Sequence, residues 1–313
     1  MAKKIYRHPK YYYELESVTR FADVEYVNNE QDADYVAIAS SHNEPVFKGI
    51  TKPILYSYIR EHPYKHDEYL QTQFDSINPH QRVKIFSLSA FDKFKWIGEN
   101  IIIDNFELDC YKRLFVDKEC DIQLTNSGTL RYLFLGGKAN KANRKPLLDE
   151  LLSNEDFSGR LAWSMFGVDG GNDLDNIKVE NNHYIGYPYD PVLYQGSNFS
   201  IISETHFDGN QEFHPTEKTY RAIANMHPFA VLSTQHFMKH LQNKGYETFN
   251  KFIDEGYDEI ADPTARMVKF VNSIHELYRK DLEWSLFKEI CIHNVNTLVS
   301  NSKKTIRKIN ISI

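Results

Sequence analysis

The sequence predicts an α/β protein made of two strand–helix units with a cleft between them. Three observations carry this prediction. Short apolar runs bounded by polar loops recur through the first third of the chain. Similar runs alternate with helical patterns from about residue 130 onward. The 313 residues also exceed one ordinary domain of ~100–200 residues. Short apolar runs of this kind suit the buried strands of a parallel sheet.

In chain order, Ile5–Arg7 reads as a first strand, followed by Tyr35-Val-Ala-Ile-Ala-Ser, Pro53-Ile-Leu-Tyr-Ser-Tyr-Ile, Val83-Lys-Ile-Phe-Ser-Leu and Asn100-Ile-Ile-Ile-Asp. The second unit opens on the strand Arg131-Tyr-Leu-Phe-Leu, then Gly136-Gly-Lys and the helical pattern Pro146-Leu-Leu-Asp-Glu-Leu-Leu. Arg160-Leu-Ala-Trp-Ser-Met-Phe, Phe199-Ser-Ile-Ile-Ser and Pro228-Phe-Ala-Val-Leu-Ser are further strands. Thr216 is placed to cap a helix over residues 217–226, and Gly245 to end one over 235–244 in a left-handed conformation. Asp262-Pro263 suit the N-cap and first turn of a helix. Its buried stripe is Met267, Phe270, Val271, Ile274, Leu277 and Tyr278. A last helix is expected over 282–298, followed by the basic tail Lys303-Lys-Thr-Ile-Arg-Lys. The expected domains are 1–127 and 128–281, with the C-terminal helix of 282–313 packing back on the first.

Composition narrows the classes. Charged residues are 26% and hydrophobic residues 41%, an ordinary globular balance that excludes bulk disorder. The formal charge of −6 argues against a surface that grips nucleic acid all over, though not against a local basic groove. The 20 Tyr and 20 Phe suit large cores and sugar- or base-lined pockets. The three cysteines have no metal-type spacing and suggest a reducing compartment. The N-terminal Met-Ala-Lys-Lys-Ile-Tyr-Arg-His lacks the apolar run of a signal peptide, and no stretch approaches the ~20 apolar residues of a membrane span. A cytoplasmic location is therefore expected.

In open parallel sheets ligands sit beyond the carboxyl ends of the strands, so chemistry is sought in the loops there. Gly136, Gly137 and Lys138 with Arg144 offer close backbone approach, a helix N-terminus and two cations, suited to an anion such as pyrophosphate. The plainer alternative is a glycine turn with solvated basic residues. Ser203-Glu204-Thr205 with Thr216, Glu217 and Lys218 offers carboxylates for ribose hydroxyls and a lysine for phosphate. Here the plainer alternative is a capping threonine and a carboxylate that complements the helix dipole. The acidic run at residues 254–258 lacks cation-site spacing and reads as structural. Asp173 and Asp175 form an Asp-x-Asp that reads more simply as a turn. For a general base the amino-terminal loops offer His8, His42, Glu44, Glu61 and His62, with His206 and His214 nearer the second motif.

The run Phe199-Ser-Ile-Ile-Ser-Glu-Thr, then Phe213-His-Pro-Thr-Glu-Lys-Thr-Tyr-Arg-Ala-Ile-Ala and His227-Pro-Phe-Ala-Val, resembles the donor-binding half of fucosyltransferase-like GT-B glycosyltransferases. Its continuation through Gly245-Tyr-Glu-Thr-Phe, Ile253-Asp-Glu-Gly-Tyr-Asp and Arg266 looks like the version in bacteriophage-type members. The resemblance covers residues 199–268 and leaves the amino-terminal half unmatched. It implies two Rossmann-like domains facing a central cleft, the GT-B type, and transfer of a sugar from a nucleotide-diphosphate donor, inverting and without a metal or other cofactor. It carries Glu204, Glu217 and Lys218 over as donor contacts and Arg144 more loosely. His42, Glu44, Glu61 and His62 are left as candidates for the base. The acceptor implied is a hydroxymethylated base in phage DNA, in which case the location is the host cytoplasm. A glycan acceptor, or a non-catalytic nucleotide- or sugar-binding protein of the same fold, are the alternatives.

Overall fold

A computed structural model describes residues 2–7, 24–39, 49–58, 72, 75, 83–87, 98–102, 104–117, 128–139, 142–166, 191–207 and 213–312. The chain divides into two compact units, Met1–Asp109 with Asn301–Ile313, and Cys110–Ser300.

The first unit carries a six-stranded sheet: β1 (Lys3–Arg7), β2 (Val24–Val27), β3 (Tyr35–Ala39), β4 (Ile54–Tyr58), β5 (Val83–Ser87) and β6 (Gly98–Ile102), in the order β2-β1-β3-β4-β5-β6. Every pairing is parallel. Val36, Ala37 and Ile38 are buried in succession, as are Ile54, Leu55 and Tyr56. Consecutive burial means both faces of the sheet are covered, the condition under which parallel sheets occur. β2 is one edge strand and half polar, and the Arg7 guanidinium lies 3.5 Å over the Tyr26 ring there. Helix α1 (Asn105–Tyr111) starts where Asp104 accepts the Glu107 amide at 3.0 Å.

The second unit carries β7 (Tyr132–Lys138), β8 (Leu161–Phe166), β9 (Phe199–Ser203) and β10 (Phe229–Leu232), again all parallel, in the order β10-β9-β7-β8. Between and after them lie α2 (Arg144–Leu152), α3 (Glu155–Ser158), α4 (Pro191–Gly196), α5 (Glu217–Ala224), α6 (Phe237–Asn243), α7 (Pro263–Arg279) and α8 (Lys288–Ser312). Taken from each sheet's first strand, both sheets begin second-first-third-fourth. The topological switch therefore falls between first and third strands, β1/β3 and β7/β9.

Local chemistry sets the helix boundaries. Asn154 caps α3 through the Phe157 amide, and Asp262 caps α7 through the Ala265 amide with Pro263 in its first turn. Gly245, at φ +93°, ends the turn after α6. The core of this unit is aromatic. Tyr132 packs on Phe157 and Phe199 at 4.9 and 5.2 Å, and Phe287 packs on Phe252 and Phe249 at 4.5 and 5.9 Å. Fully burying each such ring contributes about 1.5–3 kcal/mol. Residues 128–130 are pinned to 282–284. Leu130 donates to the Leu282 carbonyl, Trp284 donates to the Gly128 carbonyl, and a bridge joins Thr129 to Glu283.

Candidate functional site

The β7/β9 switch point is where a ligand is expected, and the polar residues collect there. A small recess is lined by Leu133 and Leu135 of β7, Ser200, Ile201 and Ile202 of β9, Tyr194 of α4, and Lys218. Ligand pockets are mostly apolar with a few placed polar groups.

Glu204 follows β9 directly and is wholly inaccessible. Its Oε1 accepts from the Thr216 amide at 2.9 Å and the Thr219 hydroxyl at 2.6 Å, and its Oε2 accepts the Thr216 hydroxyl at 2.5 Å. A buried carboxylate is tolerable only when hydrogen-bonded in this way. Both of its oxygens are thus engaged by the chain itself. Thr216 in turn accepts the Lys218 amide as the N-cap of α5. Asn143, just before α2, donates to the Ser203 hydroxyl at 2.9 Å and the Glu204 carbonyl at 3.3 Å. The segment after β7 is thereby tied to the end of β9.

Lys218 is 9% exposed at its side chain, and Glu217 is 28% exposed. The Lys218 ammonium donates to the Glu217 carboxylate and the Thr216 hydroxyl, both at 3.0 Å, and lies 3.9 Å from Glu204 Oε2. An ammonium has three N–H donors, so two of these bonds leave one for a ligand in the recess. Burial pushes the Glu217 carboxyl up, but the charge and hydrogen bond of Lys218, with Arg221, outweigh it and hold it below the ordinary value. Lys218, the cation of an ion pair at the N-terminal turn of α5, therefore lines the recess.

Beneath the recess lies His227. Its Nε2–H donates to the Tyr194 carbonyl at 2.8 Å and its Nδ1 accepts the Ser200 hydroxyl at 3.0 Å. This tautomer is the one that satisfies a carbonyl and a hydroxyl together. Burial pushes its pKa down to about 4, so it is neutral at physiological pH. Burial likewise pushes the Tyr194 phenol up to about 12.

The other residues singled out in the sequence fall as follows. β7 continues through Gly136, Gly137 and Lys138, with a register shift against β8 between Leu135 and Gly137. A Cβ on Gly136 would stand 2.7 Å from Met165 Cε and 3.1 Å from a Phe134 ring carbon, and Gly137 has φ +63°. Gly137 thus suits the left-handed backbone at the bulge, while at Gly136 the nearest atom is the tip of a flexible methionine. Arg144 is buried at the first turn of α2. His206 and His214 are brought together, buried, with ring centroids 5.2 Å apart. Arg266 is 1% exposed and donates to the carbonyls of Phe207 at 2.5 Å, Ile260 at 2.5 Å and Ala261 at 3.1 Å. It staples the segment after Glu204 to the entry of α7. His8, His42, Glu44, Glu61, His62, Asp173 and Asp175 lie outside the described residues.

The acidic run at residues 254–258 is a capping element. Asp254 accepts the Gly256 amide at 2.9 Å and pairs with Lys269. Glu255 accepts the Phe249 amide at 3.0 Å, and Asp258 accepts the Met238 and Lys239 amides at 3.1 and 3.3 Å. Burial pushes the Glu255 carboxyl up to about 7. Among the described residues no group of three or more His, Cys, Asp or Glu is placed to hold a metal ion, and no helix is long and apolar enough to cross a membrane.

Asn143, Thr219 and the His227–Tyr194–Ser200 set had no role in the sequence reading. Ser200, Thr219 and His227 lay inside the runs quoted for the resemblance, without an assigned role. No family model and no curated protein matches the chain. In structure the chain is similar to an α1,3-fucosyltransferase, with 12% identity, TM-score 0.45, and coverage of 95% of this chain and 90% of the other. It is also similar to an α1,3-fucosyltransferase solved with GDP-fucose, with 10% identity, TM-score 0.41 and the same coverages.

Proposed function

We propose that this protein is a glycosyltransferase that takes its sugar from a nucleotide-diphosphate donor. One observation carries the reading: Lys218, paired with Glu217 and held by Thr216 and buried Glu204, lines the recess at the β7/β9 switch point. The resemblance of residues 199–268 to fucosyltransferase-like enzymes supports the same assignment.

In this reading Lys218 binds the donor diphosphate and Glu217 its neighbouring hydroxyls. Glu204 is a positioning residue that acts through Thr216 and Thr219. Gly137, Lys138, Ser203 and Arg144 complete the donor side. A base among His42, Glu44, Glu61 and His62 removes the proton of an acceptor hydroxyl, whose oxygen attacks the anomeric carbon. The bond from that carbon to the diphosphate breaks, and the diphosphate departs against Lys218, Arg144 and the amides of α5, with inversion and without a metal. Fixed donors and cations aimed at developing negative charge supply much of the rate acceleration in acyl and phosphoryl transfer. The acceptor is a hydroxymethylated base in DNA or a glycan hydroxyl.

The test is thermal shift against UDP, GDP, CDP and ADP and their sugars, with and without a divalent ion. A ligand at ~100 times its dissociation constant adds about 2.7 kcal/mol. A metal-independent shift with one nucleotide family, together with slow donor hydrolysis, is the expected result. Binding without hydrolysis or transfer would make it a binding protein, and no shift with any nucleotide would end the assignment.

A further inference from the structure

Ser200 lines the recess at the β7/β9 switch point together with Lys218, and the donor contacts proposed above do not use it. Its hydrogen-bond polarity is fixed by the residue beneath it. A neutral imidazole has a single N–H, on one ring nitrogen, and an acceptor on the other. Burial keeps the His227 ring neutral at physiological pH. Its proton goes from Nε2 to the Tyr194 carbonyl, a group that can only accept. Nδ1 is therefore the acceptor, and the Ser200 hydroxyl, 3.0 Å away, must donate to it. A hydroxyl has one proton and two lone pairs. With the proton committed to His227, Ser200 meets any group in the recess as an acceptor only.

This polarity restricts what can bind there. The recess offers the Lys218 ammonium, which only donates, and the Ser200 oxygen, which now only accepts, beside leucines of β7 and isoleucines of β9. An ionised phosphate has acceptor oxygens and no proton to give, so it suits Lys218 and finds no bond at Ser200. An O–H or N–H suits Ser200. In a nucleotide-diphosphate sugar the diphosphate is flanked on both sides by sugar rings, the ribose and the transferred sugar. Each presents hydroxyls beside C–H faces. The base lies beyond the ribose and is planar and larger. A small recess with aliphatic walls, next to a cation for the diphosphate, therefore fits a sugar hydroxyl better than a base edge.

We infer that Ser200 is a specificity-determining residue of the donor site, accepting a hydrogen bond from a sugar hydroxyl of the nucleotide-diphosphate sugar, either on the ribose or on the transferred sugar. This rests on the transferase reading and assigns one of its contacts.

The test is calorimetric binding to the full chain. The probes are the nucleotide sugar that gives the largest thermal shift, and its deoxy and deoxy-fluoro analogues at each hydroxyl of the ribose and of the transferred sugar. At one position the deoxy and the fluoro analogue are both expected to bind roughly tenfold more weakly, since neither carries an O–H and a buried acceptor is left unmet. The position identifies which ring supplies the hydroxyl. In Ser200→Ala that discrimination is expected to vanish, so that the parent sugar and those two analogues bind alike. Ser200→Cys is the second variant. Its S–H still donates to His227, but its sulfur is a weak acceptor, and the same loss of discrimination is expected. A cavity or a general loosening would weaken all the ligands together, and losses due to Glu217 would persist in both variants. Equal binding of the whole series by the parent overturns the inference. So does discrimination at every position that survives in both Ser200 variants. Either result leaves the transferase reading standing, because the nucleotide sugar still binds. Failure of every nucleotide sugar to bind the parent ends that reading, and the assignment of Ser200 with it.

Discussion

Two acidic clusters stand at helical N-termini in the second unit, and they do different work. At residues 254–258 the carboxylates face backbone amides and Lys269, and each acceptor caps or clamps a turn. At Glu204 and Glu217 the buried carboxylate likewise satisfies chain donors, but its neighbour pairs with a lysine that lines a recess. The residue types are nearly the same. The distinguishing feature is the position at a sheet switch point, where an open space meets an ammonium with a donor to spare. Acidic composition alone does not mark a site.

The comparison can be broken most forcefully at Glu204. Glu204→Ala leaves the Thr216 and Thr219 donors and a nearby lysine without their buried anion. A loss of about 3–5 kcal/mol is expected, as for removal of one member of a buried charged pair. Denaturant unfolding measures it, and a loss below about 1 kcal/mol would show that the carboxylate does not position α5.

Next in size is Lys218→Ala. On the proposed reading it costs about 2–4 kcal/mol in the transition state, a fall in turnover of roughly 30- to 1,000-fold. The folded variant is assayed for donor hydrolysis, and an unchanged rate removes Lys218 from the site.

The smallest effect is expected at Glu255, in the structural cluster. Its carboxyl is raised from 4.5 to about 7 in the folded protein. The native state therefore holds the proton where the unfolded chain has released it. That contribution is fully present below pH 4.5 and is lost as pH rises through about 7. Glu255→Gln keeps an acceptor for the Phe249 amide and carries no charge. It is expected to stabilise the protein at pH 8 and to change little at pH 4. Equal pH profiles for parent and variant would show that the cluster is as solvated as an open loop. His227, lowered to about 4, acts in the opposite sense and removes stability as pH falls from 6.5.

Much of the scaffold was legible in the sequence. The strands of both sheets announce themselves as short apolar runs because parallel strands are buried on both faces. Thr216, Asp262-Pro263 and Gly245 mark helix ends by local chemistry that needs no tertiary contact. β2 was not legible, since Val24–Val27 is an edge strand whose burial alternates weakly. The extent of α8 was legible in part. It reaches Ser312, within the helix expected over 282–313 and through the stretch also read as a basic tail, but it begins only at Lys288, after a 3-10 turn over Trp284–Phe287. Of the candidate site, Glu204, Thr216 and Lys218 could be singled out, because they follow a strand and open a helix. Their division of labour could not. That Glu204 is saturated by Thr216 and Thr219, or that Asn143 reaches Ser203, depends on side chains 12–60 residues apart meeting in space.

The division of the chain also bears on biosynthesis. The first compact unit contains residues on both sides of the second, since Asn301–Ile313 belongs with Met1–Asp109. Translation therefore delivers the whole of Cys110–Ser300 before the segment that completes the earlier unit. Domains generally fold as they emerge. Here the unit that begins first is finished last, and the nascent amino-terminal sheet waits, without its closing helical turns, until the second unit has been made.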